Sequence, residues 1–199
     1  MRLIPLWLLV CFSVAKGETL ANWSANHPPC NRHSELLKQG HMDLGVRVST
    51  TNPLLAEQFR RAMDSWARVL DLDWHDDDTR NCSIQLVDGE RELFQPASVV
   101  ARSQLPDRLD FQGWIAFNPA QTLSETELYR ISVHEIGHML GLQHSSNAMS
   151  VMYGLDWEGL ERLDPTDLAA LAKHHKLRIA ILDKPVAIGA SPRPEASQK

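Results

Sequence analysis

His134-Glu135-Ile136-Gly137-His138-Met139-Leu140-Gly141-Leu142-Gln143-His144 fits the pattern H-E-x-x-H-x-x-G-x-x-H at every specified position. On a helix, residues four apart lie one turn above another on the same face, so His134 and His138 can aim their imidazoles at one point. Glu135, beside the first of them, is close enough to act on a water at that point without being a ligand, which makes it the candidate general base. A third nitrogen has to arrive from a direction the helix cannot supply. Gly141 offers the positive φ that ends a helix without strain, and the turn it permits brings His144 back. Three neutral imidazoles leave one tetrahedral position open, which separates a catalytic zinc from a closed structural one. The plainer alternative is a helix carrying a histidine pair for packing or for the surface; Gly141 and His144 at their positions argue against it.

Outward from this stretch, Ser124-Glu125-Thr126-Glu127 is a capping box that starts the helix, with Leu123 and Leu128 spaced for a hydrophobic staple. Arg130 falls four residues before His134 and so on the same face; it either borders the cleft or snorkels to solvent. Further upstream, Leu44, Val46 and Val48 alternate with polar neighbours as a first strand. Asn52-Pro53 gives another helix its cap and first residue, and Leu55, Phe59, Ala62, Met63, Trp66, Val69 and Leu70 recur at three and four as its core face. Short strands are expected at about 72–74, 82–87, 98–105 and 111–117. The acidic residues Asp71, Asp73, Asp76, Asp77 and Asp78 lack the glycine and distal glutamate of an EF-hand and read as a solvated loop. Downstream, Asp164-Pro165-Thr166-Asp167 opens a last helix to about Lys173, and His174 and His175 near its end read as surface residues. The order β-α-β-β-β-β-α-α makes this an α+β fold.

The motif resembles that of the metzincin metallopeptidases, and its flanks are most similar to the matrixin (matrix metalloproteinase) branch. Ser145 follows the third histidine, and Met152, eight residues after His144, is followed by Tyr153. The resemblance implies that Met152 forms the Met-turn, a floor of soft sulfur and hydrocarbon beneath the ligands; Met149 lies too close to His144 for that part. Val99-Val100-Ala101-Arg102-Ser103-Gln104-Leu105-Pro106 resembles the matrixin edge strand above the cleft, and Gly113-Trp114-Ile115-Ala116-Phe117-Asn118 the strand after it. The implied architecture is a metzincin-like zinc peptidase domain with a mixed twisted sheet, two long helices of which the second bears the zinc motif, and a C-terminal helix after the Met-turn. The implied activity is secreted zinc endopeptidase: His134, His138 and His144 hold Zn2+, and Glu135 is general base to a zinc-activated water. Extended polypeptide would be the substrate, in a cleft bordered by Val100, Ala101, Arg102, Arg130, Tyr153 and Gly154.

Two departures from the pattern matter. The positions that hold a structural zinc and calcium in matrixins correspond to Arg102, Ala116 and Asn118; a guanidinium cannot ligate and a methyl has nothing to offer, so one zinc is expected and no structural zinc or calcium. The Pro-x-Tyr that often follows the Met-turn is here Gly154-Leu155-Asp156, and Gly154 also stands where astacin-like relatives carry a metal-binding tyrosine, so no tyrosine switch is expected. Rival readings are a zinc- and peptide-binding module without turnover, against which the intact Glu135 counts, and a zinc hydrolase of a non-protein substrate, for which long acidic or aromatic insertions would be needed.

Residues 1–17 have the form of a secretory signal: Arg2, the apolar run Leu3 to Val14, then Ala15-Lys16-Gly17 as a small-x-small cleavage site. The run is too short to span a bilayer, although a membrane anchor is the competing reading. Polar residues 18–41 read as an N-terminal leader, 42–178 as the catalytic domain, and 179–199, with Pro185, Pro192 and Pro194, as a disordered tail. Without the signal, 18 basic residues face 25 acidic ones for a net charge near −7, which argues against a nucleic-acid partner. The remaining residues suit one domain with its own core, expected to be a monomer with no membrane association after signal cleavage. Of the three cysteines, Cys11 leaves with the signal; Cys30 and Cys82 most simply pair in an oxidising compartment, while the alternative is that Cys30 blocks the metal as a thiolate. Asn22-Trp23-Ser24 and Asn81-Cys82-Ser83 are formal glycosylation acceptors.

Overall fold

A computed structural model of the chain describes residues 41–79, 82–103, 113–154, 162–179 and 185–188. The expected signal, the leader up to residue 40, Cys30, the acceptor asparagines Asn22 and Asn81 and the Leu155-Asp156 pair lie outside these residues. The fold is α+β. Its strands and helices run β1 (Met42–Ser49), α1 (Pro53–Val69), β2 (Leu72–Asp76), β3 (Ile84–Asp88), β4 (Ala101–Ser103), β5 (Gly113–Phe117), α2 (Glu125–Met139), β6 (Arg162–Leu163), α3 (Pro165–Ala172) and β7 (Val186–Ala187). The main sheet has the order β2-β1-β3-β5-β4. Its first four strands are parallel, and β4 runs antiparallel to β5 at one edge.

Helix α1 begins where expected: the Asn52 side chain accepts from the amides of Leu54 and Leu55 at 3.0 and 3.1 Å, and Pro53 stands at the first helical position. Its apolar stripe is buried throughout, from Leu55 and Phe59 to Trp66, Val69 and the C-cap Leu70. At roughly 1.5–3 kcal/mol for each large side chain removed from water, this stripe outweighs any single polar contact that α1 makes. The polar contacts instead set the angle at which α1 meets α2. Trp66 Nε1 donates to the Val133 carbonyl at 3.1 Å, Ser65 Oγ lies 2.8 Å from the Tyr129 hydroxyl, and Gln58 Nε2 donates to Glu125 at 3.1 Å.

Several expectations are corrected. The acidic run is a loop only at Asp77 and Asp78: Asp73 and Asp76 lie in the strand Leu72–Asp76, and they and Asp71 are paired with cations. Asp71 meets Lys176 at 2.7 Å and His41 at 3.1 Å, Asp73 meets Arg178 at 3.0 Å, and Asp76 meets Arg60 at 3.0 Å. With these donors around it, Asp71 is held down to about 2, the Lys176 and His41 hydrogen bonds being the main causes. The strand expected at 98–105 is confined, among the described residues, to Ala101–Ser103. Part of the expected tail is docked, since Val186–Ala187 pairs with Arg162–Leu163 and Ile188 is buried with its carbonyl accepting from Tyr129 at 2.9 Å. Two-residue strands are too short to show an alternating pattern, so nothing in the sequence announces them. His174 is exposed, but His175 is not the surface residue expected. It is 6% exposed, and Nε2 donates to the Leu140 carbonyl at 2.8 Å, closing the C-terminal end of α2.

Candidate metal centre

The capping box of α2 forms as expected: Ser124 N donates to Glu127 Oε2 at 2.7 Å while Glu127 N donates to Ser124 Oγ at 3.3 Å. From Ile131 to Met139 every residue is buried, so this part of the motif sits in the interior of the domain. The helix ends in a Schellman turn. Gly141 has φ 94°, Gly141 N donates to the His138 carbonyl and Leu142 N to the Gly137 carbonyl, both at 2.9 Å. This turn reverses the chain and carries His144 back over the two helical histidines.

The ligand-competent atoms of His134, His138 and His144 lie within 4.8 Å of one another. Their protonation is legible from their partners. His134 Nδ1 is 2.8 Å from the Val151 carbonyl and His138 Nδ1 is 2.8 Å from the Leu142 carbonyl. A carbonyl can only accept, so both Nδ1 atoms carry the proton and both Nε2 atoms present a lone pair. Those two Nε2 atoms are 3.0 Å apart. Two acceptors facing each other at that distance repel, and a cation between them turns the repulsion into coordination. Tetrahedral zinc at about 2.0–2.1 Å from each nitrogen would separate ligand nitrogens by roughly 3.3 Å, so the donor set fits the ion. Burial opposes the alternative of protonation, pushing His134 down to about 3 and His138 below its ordinary value. The carbonyls that fix both tautomers are the outer hydrogen bonds on which ligand histidines depend.

Glu135 is 6% exposed. Burial raises its carboxyl to about 7; hydrogen bonds from the Ser103 side chain and backbone, together with the nearby Arg102 charge, work in the opposite direction. Ser103, in the edge strand, was not among the residues singled out from sequence. Its proximity is a tertiary contact across 32 residues of chain, for which no local pattern exists.

Met152 is completely buried beneath the histidines' helix. A Cβ on Gly137 would stand 2.6 Å from Met152 Sδ and 3.2 Å from Trp66 Cζ2, so only a glycine lets the sulfur approach this closely. The loop between His144 and Met152 is pinned from α3. Asp164 accepts from Ser145 Oγ at 3.3 Å and Asn147 Nδ2 at 3.2 Å, Ser150 Oγ donates to Asp167 at 2.6 Å, and Met152 N donates to Ser150 Oγ at 2.9 Å. The signal for this bracket was present in the sequence as the Asp164-Pro165-Thr166-Asp167 cap, whose carboxylates do double duty. Tyr153 bridges to Ser145, and Gly154 lies flat against His144: a Cβ there would be 3.2–3.3 Å from three ring atoms.

The remaining cleft candidates are placed unevenly. Val100 is partly buried against the main core and Ala101 is 8% exposed. Arg130 is half-buried on α2, where its charge acts on Glu127. Arg102 is exposed and donates to the Gln95 carbonyl at 3.0 Å, while Asn118 Nδ2 donates to the Val99 carbonyl at 2.9 Å. Ala116 packs with Val87 and Phe94 in a small second core. These three residues therefore serve as ties and packing around the 95–99 loop.

An interior helix offering two imidazoles, a left-handed glycine turn returning a third, and a buried methionine below them define a metzincin-like metal site on an α+β domain. The chain belongs to the matrixin (peptidase M10) family, whose sequence profile matches residues 45–174. Among curated proteins, macrophage metalloelastase of Rattus norvegicus is 46% identical over 46 residues, covering 21% of this chain and 10% of that protein. Matrix metalloproteinase-26 of Homo sapiens is 35% identical over 66 residues, covering 31% of this chain and 25% of that protein. The matched stretches thus span a quarter or less of these relatives' length.

Proposed function

We propose that the chain is a secreted zinc endopeptidase acting on extended polypeptide. The observation that carries this reading is the pair of Nε2 lone pairs converging at 3.0 Å on a helix that also buries Glu135, the residue next to His134. When bound, zinc would supply Lewis acidity toward a carbonyl and lower the pKa of a water toward about 7. His134, His138 and His144 are the ligands, the first two oriented by their carbonyl partners, and Met152 is the floor beneath them. Glu135 is the general base; a carboxyl raised into the neutral range both takes a proton from the attacking water and returns it to the leaving amine. Removing the base should cost about 10²–10⁴ in rate.

The edge strand supports a peptide substrate. Asn118 N donates to the Val100 carbonyl, so Val100 and Arg102 turn their backbone groups toward β5, and Ala101 and Ser103 turn theirs to the free side. The Ala101 amide and carbonyl are then positioned for strand addition by an extended chain. The cleft is bordered by Val100, Ala101, Arg102, Arg130, Tyr153 and Gly154. One catalytic zinc, no structural zinc or calcium, and a monomer complete the reading. Cys82 is buried and disulfide-bonded, which supports its pairing with Cys30 and, with the apolar leader of residues 1–17, an extracytoplasmic location. Among the described residues no helix is long and apolar enough to cross a membrane.

The test is hydrolysis of a mixed peptide library by zinc-loaded protein, with and without chelator, alongside Glu135→Gln. Chelator-sensitive cleavage by wild type, and a variant that keeps zinc but loses nearly all turnover, are the expected results. Zinc uptake without cleavage of any peptide would favour a binding module instead.

A further inference from the structure

We propose that Ser103 is a positioning residue for the general base, its hydroxyl and backbone amide both donating to the Glu135 carboxylate from the free edge of β4. The inference rests on the endopeptidase reading, because it assigns Ser103 a part in that chemistry. Three observations meet here. The register of β4 on β5 pairs Arg102 with Ala116 and, through the Asn118-to-Val100 hydrogen bond, leaves the Ser103 backbone facing away from the sheet. Ser103 is itself half-buried and lies against a carboxyl that is 6% exposed, so water is a poor competitor for the same hydrogen bonds. β4 packs directly on α2, which brings the Ser103 hydroxyl and amide to the face of that helix where they act on the Glu135 carboxyl.

The consequence is geometric. A Glu side chain has three rotatable bonds, and a base that must reach a water beside the histidines loses rate in proportion to the time it spends elsewhere. The helix sets only the Cα of Glu135. The hydroxyl of Ser103 supplies a second anchor from a different element, and it can release or shift while the backbone N–H keeps one oxygen in place. Since the same strand edge is where an extended substrate would pair, Ser103 ties the orientation of the base to the element that holds the peptide. The alternative is that Ser103 only fills space between β4 and α2, in which case its hydroxyl is dispensable.

Ser103→Ala, Ser103→Thr and Ser103→Val are compared with wild type and Glu135→Gln as full-length zinc-loaded proteins. The readouts are zinc content, melting temperature, and kcat and KM on a cleaved library peptide. A charged hydrogen bond is worth enough to make the expected loss on the order of tenfold in kcat. Ser103→Ala should show that loss with KM and zinc content unchanged, and Ser103→Thr should restore most of it. Ser103→Val matches Ser103→Thr in shape but lacks the donor, so the Thr/Val pair isolates the hydroxyl even if Ser103→Ala loosens the strand. Equal kcat for Ser103→Thr and Ser103→Val, or a Ser103→Ala effect confined to KM, overturns the inference while leaving the peptidase reading intact. Wild type that binds zinc and cleaves nothing overturns both.

Discussion

Gly137→Ala should destabilise this protein although it replaces a glycine in the middle of a helix. In an exposed helix interior the change would add about 1 kcal/mol of stability, because alanine has less backbone entropy to lose. Here the new Cβ would meet Met152 Sδ at 2.6 Å with Trp66 Cζ2 at 3.2 Å behind it. Ordinary contact between such atoms is about 3.5–4.0 Å, so the overlap with sulfur is about 1 Å. Both neighbours are completely buried, Trp66 is tied to the Val133 carbonyl and the Met152 backbone to Ser150 Oγ, so the thioether can yield only by displacing the core around it. Overpacking of this kind costs about 1–3 kcal/mol, which cancels the propensity gain and leaves a net loss of up to about 2 kcal/mol. For a domain of this size that is a drop of up to roughly 8 °C in Tm. Urea unfolding of metal-free protein gives the sign directly. In a Met152→Ala background the same substitution should become neutral or stabilising, since the sulfur is gone. A Gly137→Ala variant that matches or exceeds wild-type stability with Met152 intact would refute the packing described for the methionine floor.

Gly154→Ala should fold normally but weaken zinc on the order of 10-fold, because its Cβ presses on the His144 ring at 3.2–3.3 Å and shifts the one ligand that the helix does not hold. Competition with a chelator of known affinity measures this, and an unchanged Kd would show that the ring yields freely. Acidification should destabilise the metal-free protein between about pH 6.5 and 5. Burial lowers His134 to about 3 and also lowers His138 and His175, so the unfolded chain takes up more protons at these histidines in this range than the folded one. Each such histidine removes up to about 1.4 kcal/mol per pH unit. Glu135, raised to about 7, and Asp167, also raised, act in the opposite sense, but the histidines outnumber them. Urea midpoints that stay level or rise on going from pH 6.5 to 5 would contradict that balance. The Asp71 cluster contributes only further down, its stabilisation fading as pH falls from about 3.8 toward 2.

What the sequence made legible was whatever depends on short-range pattern. The eleven-residue motif, the Asn52 and Ser124 caps and the α1 stripe all express a helical period or a capping rule, and each sits within a residue or two of its expected place. The glycine at 141 was informative for the same reason, since a left-handed turn has few other occupants. Contacts between distant segments were not legible. Ser103 against Glu135, His175 against Leu140 and Ile188 against Tyr129 join residues 32 or more apart, and a lone serine, histidine or isoleucine carries no local mark of its partner. The acidic run misled because its charges are neutralised by Arg60, Lys176 and Arg178, which lie far from it in sequence and beside it in the fold. Gly137 was read only as an unspecified position of the motif, and its demand for space became visible with Met152 beneath it.

The central claim is that three imidazoles converge on one zinc and leave one position open. Zinc K-edge X-ray absorption of the protein loaded with a single equivalent tests it most directly. Three imidazole nitrogens and one light oxygen-type scatterer at about 2.0–2.1 Å are expected, with a metal content of one per chain. A sulfur scatterer near about 2.3 Å, the signature of a cysteine thiolate closing the site, or a shell with only two imidazoles, would contradict it.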